Sequence, residues 1–275
     1  MRIHALLCFG EHPGDGNPAL VIEDDPRGQA ERAAFARERN ITCVWIDPAA
    51  GPDTAGIAGV VDYFYPHARS PLCVHATLAV AQVLFARAPE AAMLAVRTAM
   101  RGQRLGLVRE DGGYFVQMEV QEAAQPALDG AQLARLLAAP DLVTASTPRA
   151  TSIGSPKLLV EVKDADSLHA LVPDLAAITA WSRETGVNGM YVYCRHADGR
   201  YEGRNFNHLD HALEDSATGV AAGALTALLE QGITLLHGRA TGRSGLIRTR
   251  YADGVVLVGG RVEAAGSEAA FLHAG

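Results

Sequence analysis

Residues 71–87 read Pro71-Leu72-Cys73-Val74-His75-Ala76-Thr77 and then LAVAQVLFAR from Leu78 to Arg87. After a polar, small-residue lead-in, the stretch is small and apolar on nearly every face. A helix that is hydrophobic all round is a buried one. A second stretch of the same make follows: Leu213-Glu214-Asp215-Ser216-Ala217-Thr218-Gly219 opens onto the small-residue run Val220 to Gln231. The two lead-ins lie roughly 140 residues apart, far beyond the period of a solenoid. The spacing predicts a two-fold internal duplication, with two similar α/β domains each holding one buried, Ala-rich helix.

The flanking sequence supplies strands for each helix. Upstream of the first, Arg2 to Phe9, Ala19 to Glu23, Ile41 to Ile46 and Val60 to Tyr65 are short apolar runs that read as strands. Glu11 to Pro18 is turn-rich, and Arg27 to Arg39 has helical spacing with Asn40 as its expected stop. Residues 93–120 read as strands around Gly102, Gly112 and Gly113, and Gln121 to Pro126 as a linker. In the second half, Asp129 to Ala138 is expected to be helical. Ala150 to Val162, Gly189 to Cys194, 245–250 and 255–262 are expected to be strands.

Composition narrows the function. The 275 residues are 48% hydrophobic and 20% charged, which is globular and not disordered. A net charge of −7, from 24 basic and 31 acidic residues, argues against nucleic acid or an anionic membrane as the main partner. The four cysteines, Cys8, Cys43, Cys73 and Cys194, form no CxxC pair, so neither a zinc ribbon nor a redox dithiol is signalled. The run Ala5 to Phe9 is too short for a signal-peptide core, and no stretch of about 18 apolar residues predicts a membrane span. A cytoplasmic protein with reduced thiols is the expectation.

The lead-ins carry the chemistry. A helix N-terminus presents unpaired backbone N–H groups and partial positive charge, a natural seat for a carboxylate or phosphate. Two such ends facing one cleft would hold a small anion and stabilise negative charge on its α-carbon, which suits proton abstraction beside a carboxylate. Acid–base groups are at hand in Cys73 and His75 at the first and Asp215 at the second. The plainer alternative stays open, with Cys73 a core filler and Asp215 an N-cap. Two other patterns are set aside. Gly14-Asp15-Gly16-Asn17-Pro18-Ala19 fits G-x-G-x-x-A, but Pro18 and the strand-like residues after it deny the helix that a dinucleotide site needs. His208, Asp210 and His211 with Glu214 fit no strong metal template, so no metal is expected.

These residues resemble a known family. Gly16-Asn17-Pro18-Ala19-Leu20-Val21, Pro71 to Thr77, Glu214-Asp215-Ser216-Ala217-Thr218-Gly219 and Gly242-Arg243-Ser244-Gly245 are similar, in order and spacing, to segments of the phenazine-biosynthesis PhzF-like family, which shares the diaminopimelate epimerase-like fold. The resemblance implies an α+β chain of two pseudo-symmetric domains, each a mostly antiparallel sheet curled around a central helix. The N-terminal domain would span 1–121 with a central helix near 74–86, completed by a strand from 262–275. The C-terminal domain would span 122–261 with a helix near 218–231. It further implies an interdomain active site, a homodimer, and isomerisation of a small carboxylate by proton shuttling with no metal or organic cofactor. Asn17, Thr42, Val74, Thr218, Gly219 and Val220 would line the substrate, and His75 matches the family's active-site histidine.

Three positions depart from the family pattern. Its catalytic Glu, in an N-[LF]-S-E-T segment, corresponds to Cys43 within Asn40-Ile41-Thr42-Cys43-Val44; Val74 replaces a Gly, and Ser216 a Pro. Cys43 is either a buried, inert thiol or a thiolate replacing the carboxylate, which would require lowering a pKa of about 8.5. Cys73 has the helix end to favour its thiolate, and in the similar diaminopimelate epimerases its counterpart is a catalytic thiol, the second thiol being Asp215 here. Two functions follow: an active isomerase using Cys43, Cys73, His75 and Asp215, or a catalytically impaired member that binds or regulates.

Overall fold

The computed structural model describes residues 1–50, 54–207 and 214–265. The chain divides into two compact units, Met1–Met118 with the segment from Val258 onward, and Glu119–Leu257.

In the first unit the elements run β1 (Arg2–Cys8), β2 (Asn17–Glu23), α1 (Gln29–Arg39), β3 (Thr42–Asp47), β4 (Val60–Phe64), β5 (Arg69–Ser70), α2 (Val74–Arg87), β6 (Met93–Thr98), β7 (Arg104–Glu110) and β8 (Gly113–Glu119). The second holds α3 (Gly130–Leu136), β9 (Arg149–Thr151), β10 (Lys157–Glu161), α4 (Ala165–His169), α5 (Leu175–Thr185), β11 (Met190–Arg195), β12 (Tyr201–Phe206), α6 (Gly219–Leu229), β13 (Thr234–His237) and β14 (Gly245–Ala252). The boundary falls within β15 (Val255–Gly260), after which β16 (Val262–Ala264) pairs with β1.

The strand order is β16-β1-β2-β3-β4-β6-β7-β8 in the first unit, with β5 on β4, and β15-β14-β13-β12-β11-β10-β9 in the second. Each unit alternates antiparallel and parallel pairs in the same sequence. In the first, β1/β2 is antiparallel, β2/β3 parallel, β3/β4 antiparallel and β4/β6 parallel. In the second, β9/β10, β10/β11, β11/β12 and β12/β13 follow the same alternation. The buried helix interrupts each series at the same place, α2 before β6 and α6 before β13. Part of the sequence repeats with the topology: Gly16-Asn17-Pro18-Ala19-Leu20-Val21-Ile22-Glu23 enters β2 as Gly154-Ser155-Pro156-Lys157-Leu158-Leu159-Val160-Glu161 enters β10. Both glycines sit at positive φ, 106° and 139°.

Each sheet curls around its helix. The α2 helix packs on β1, β2 and β3 and also on β7 and β16, near opposite ends of the strand order; α6 likewise meets β14 at one end and β9 and β10 at the other. This is the expected α+β plan of a mostly antiparallel sheet around a central helix, made twice. The outer faces are covered separately. Leu20, Ile22, Cys43, Trp45 and Phe64 pack with Phe35 and Ala36 of α1. Leu158, Val160, Met190, Val192, Cys194 and Phe206 pack with residues of α3, α4 and α5.

The helices differ in how they begin. On the outside, Asp129, Asp164 and Asp174 cap α3, α4 and α5, each carboxylate accepting from a backbone N–H at 2.7–2.9 Å. At α1 the Glu31 carboxylate accepts from the Gly28 N–H at 2.9 Å. The buried helices α2 and α6 start at Cys73 and Thr218 with no side-chain cap hydrogen bond.

The structure corrects several sequence expectations. Ala150 to Val162 is two strands, split by a turn at 152–156 in which Gly154 takes positive φ. The elements α4, α5, β12 and β13 were not anticipated. Among them, β12 reads as polar, yet Glu202 and Arg204 are buried because each has partners: His169 and His196 for the first, Glu214 for the second.

The backbone at Gly16 gives a stability prediction. A Cβ there would lie 2.5 Å from the Cys8 carbonyl oxygen, on a residue with φ of 106°. Backbone strain of this kind costs about 1–3 kcal/mol and the clash adds to it. Gly16→Ala is expected to lower unfolding free energy in urea by at least 2 kcal/mol, by the same reasoning about strain plus overlap. Gly102→Ala, at φ of 65° with nothing within 4 Å, should cost only about 1 kcal/mol.

Candidate active site

The α2 lead-in gathers three of the expected residues. Because Leu20, Cys43 and Trp45 face α1, their alternates Ala19, Val21, Thr42 and Val44 face α2. The Tyr63–Thr77 hydroxyl pair at 2.6 Å ties the neighbouring strand β4 to the same helix. At the mouth of this face, His75 Nδ1 lies 3.4 Å from the Asn17 amide nitrogen and 3.3 Å from Cys73 Sγ. Val74 follows Cys73 as the first residue of the helix. Burial pushes the His75 imidazole down to about 4, against the pull of the Pro18 carbonyl, so it is neutral at pH 7. A neutral imidazole lies beside the thiol, and the helix N-terminus favours the thiolate.

Cys43 is not brought to this group. Its side chain points to the opposite face of the sheet, into the cluster with Phe35 and Trp45, and Sγ is 3.5 Å from the Ile41 carbonyl oxygen. It is wholly buried, and burial pushes its thiol up to about 12. The residue of this segment on the α2 face is Thr42, beside Ala19.

In the second unit the α6 lead-in is pinned from two sides. Arg204 grips Glu214 with two hydrogen bonds of 3.1 Å and donates also to the carbonyls of Leu168 and Leu171. Thr241 donates to the Ser216 hydroxyl at 3.1 Å, and the Ser216 carbonyl presses on Gly238 and Gly245, where a Cβ would come within 2.5 and 2.9 Å of it. Between these anchors stands Asp215, whose Oδ2 accepts from the Thr218 hydroxyl at 3.3 Å. Gly219 is buried and Val220 half-buried at the start of the helix. The sequence carried no motif for Arg204.

Residues 14–19 lead into β2 and not into a helix, which removes the dinucleotide pattern. His208, Asp210 and His211 lie outside the described residues, and Glu214 is engaged by Arg204. Cys194, His196 and Glu202 present three potential metal-ligand atoms within 4.8 Å, on the outer face of the second sheet. Both Glu202 oxygens are already hydrogen-bonded there, to His169 at 2.6 Å and His196 at 3.0 Å. All four cysteines are buried thiols outside any disulfide, and among the described residues no helix is long and apolar enough to cross a membrane.

A protein of Deinococcus radiodurans described as an uncharacterized isomerase is 32% identical, over 96% of this chain and 89% of its own length. The solved structure of a predicted epimerase from Pseudomonas aeruginosa superposes with a TM-score of 0.78 at 25% identity, covering 96% of this chain and 97% of that one. A hydroxyproline epimerase from Agrobacterium vitis, solved with bound trans-4-hydroxy-L-proline, shares the fold at 12% identity and a TM-score of 0.59, over 96% of this chain and 90% of its own. The family model for phenazine biosynthesis-like proteins, PhzC-PhzF, matches residues 7–273, nearly the whole chain, and the protein belongs to that family.

Proposed function

We propose that the protein moves a proton on the carbon beside a carboxylate of a small, amino-acid-like substrate, using its own side chains as acid and base. The broader class, an isomerase or epimerase of the PhzF type, follows from the family and from relatives so described. The observation that carries the finer reading is the Cys73–His75–Asn17 group at the uncapped start of a buried helix. Its counterpart is Asp215 at the uncapped start of the other.

In this reading the backbone amides of both helix starts bind the carboxylate and stabilise charge as the C–H bond breaks. Cys73, beside the neutral His75 and with its thiolate favoured by the helix end once its own proton has gone to solvent, removes the substrate proton, whose electron pair stays on carbon. Asp215 relays a proton to the substrate carbon in this direction and, as the carboxylate, removes one in the reverse direction. The proposal requires both lead-ins to act on one substrate. Cys43 has no part in it, because its thiol faces α1 and burial disfavours its ionisation. That same feature favours the second reading, a member that binds but has lost turnover along with the family's Glu.

Exchange of the α-proton into deuterated buffer, over a panel of small amino and hydroxy acids, separates the two. The wild type is expected to exchange at least one of them. Cys73→Ala and Asp215→Asn should each be slower by about 10²- to 10⁴-fold, the usual contribution of general acid–base catalysis, with Cys43→Ala within a few-fold of wild type. Exchange that survives Cys73→Ala rejects the thiol base, and binding without exchange by the wild type selects the second reading. Gly219→Val, which puts a branched side chain at the α6 start, should weaken carboxylate binding by about tenfold or more; unchanged affinity counts against that seat.

The buried imidazoles set an acid limit. His75 and His237 are each held near 4 by burial. The unfolded chain, with imidazoles near 6.5, binds protons that the fold refuses, so stability falls as pH drops from about 6.5 to 4. Each histidine is worth about 3 kcal/mol across that window. Urea unfolding of His75→Asn should show a correspondingly shallower loss than wild type between pH 7 and 4.

A further inference from the structure

Among the described residues of the second unit, and setting aside Trp181 Nε1 on the outer face, four buried side chains hold polar atoms with no hydrogen-bond partner: Lys157 Nζ, Tyr191 Oη, Asn205 Oδ1 and the ring nitrogens of His237. Strand register places them together. Leu159 pairs with Tyr191, Tyr191 with Asn205, and Gly203 with both Tyr193 and His237, so Lys157, Tyr191, Asn205 and His237 share one face. It is the face on which α6 lies, as the 2.6 Å bond from Thr226 to Thr249 and the packing of α6 on β10 require. The Tyr191 ring stacks on His237 with centroids 5.8 Å apart, and its hydroxyl occupies the space a side chain at Gly203 would fill. Buried polar groups are nearly always paired, and a cluster of exceptions calls for a role.

The internal repeat isolates Lys157. Its counterpart, by the match of residues 16–23 to residues 154–161, is Ala19, which is fully buried against α2. A methyl group therefore satisfies packing at this position. The second unit instead carries an amine on a long stem, 2% exposed, within electrostatic reach of Asp215.

We propose that Lys157 is a positioning residue of the α6 half-site, its ammonium the countercharge that holds Asp215 in place while a carboxylate occupies the α6 lead-in. The proposal rests on the carboxylate reading above but not on turnover. Burial pushes the Lys157 amine down to about 7 and Asp215 opposes that shift, so near neutral pH the group is poised between its two forms. Among the described residues of this face no other charge competes. The α6 helix carries no charged side chain, Glu214 is paired with Arg204, burial keeps the Tyr191 phenol protonated, and it keeps the His237 imidazole neutral. Bringing an anion to the lead-in then draws a proton onto Lys157.

Three measurements test this. Carbon-13 NMR of protein labelled at lysine Cε should show one lysine titrating near pH 7 that is missing in Lys157→Met. Calorimetric binding of malonate and pyruvate at pH 8, in buffers of different ionisation enthalpy, should give wild-type uptake approaching one proton, by linkage, and almost none in Lys157→Met. Thermal unfolding of the empty Lys157→Met protein at pH 7 should have a higher midpoint than wild type, since an unpaired buried amine is replaced by an apolar chain of like length. The proposal is overturned if every lysine titrates above pH 9, if uptake is unchanged in the variant, or if the wild type binds neither acid. Proton uptake lost in Lys157→Met, in a protein that exchanges no α-proton, keeps Lys157 in this role and removes the isomerase reading.

Discussion

The structure depends on two helices that have no polar face to offer to water. The α2 helix buries most of its residues, and α6 has the sequence GVAAGALTALL. A helix of this kind is stable only when apolar surface covers it on all sides, at about 25 cal/mol per Å² removed from water. A flat sheet covers one side, so each sheet must curl until strands far apart in its order meet the same helix. The alternation of parallel and antiparallel pairs, and the placement of the helix within it, is one solution to that constraint, found once in each unit.

The same burial accounts for the chemistry at the helix ends. The outer helices start in solvent, where an aspartate or a capping box can satisfy the first amides. The buried helices start within the protein, behind lead-ins of small residues, and their N-caps are a cysteine and a threonine whose side chains make no cap bond. Amides in such a place are oriented by the whole packed unit. That rigidity is what electrostatic stabilisation of a developing charge requires. Asp215 is held on the same principle, between an Arg204–Glu214 ion pair and a serine fixed by Thr241, Gly238 and Gly245.

Burial also sorts the titratable groups. His75 and His237 are driven neutral, Cys43 is driven to remain a thiol, and Lys157 is brought close to neutrality. The cost is stability at acid pH and a set of unsatisfied polar atoms beneath α6. A fold selected for stability alone would place apolar groups there, as the first unit does with Ala19.

The two buried helices, their roughly 140-residue spacing and the family's motifs were legible in the sequence, because hydrophobicity on every face and small-residue lead-ins are local properties. So were most strands of the first unit, where apolar runs end at Pro and Gly. The polar strand β12 was not legible: Glu202 and Arg204 are buried by partners that come from α4, from His196 and from the α6 lead-in, and nothing in residue type says that these groups meet beneath the outer helices. The division of Ala150 to Val162 had a readable signal in the repeat of Gly16-Asn17-Pro18 as Gly154-Ser155-Pro156, which the topology made plain. Which side a strand residue faces is settled by pairing partners. Residue type placed Cys43 and Thr42 equally well at the site, but a period of two means that only one of two neighbours can face α2, and packing against α1 took the thiol away. Lys157 is the converse case. Nothing in its local sequence distinguishes it from a surface lysine, and only the curl of the second sheet around α6 removes its amine from water and sets it near Asp215.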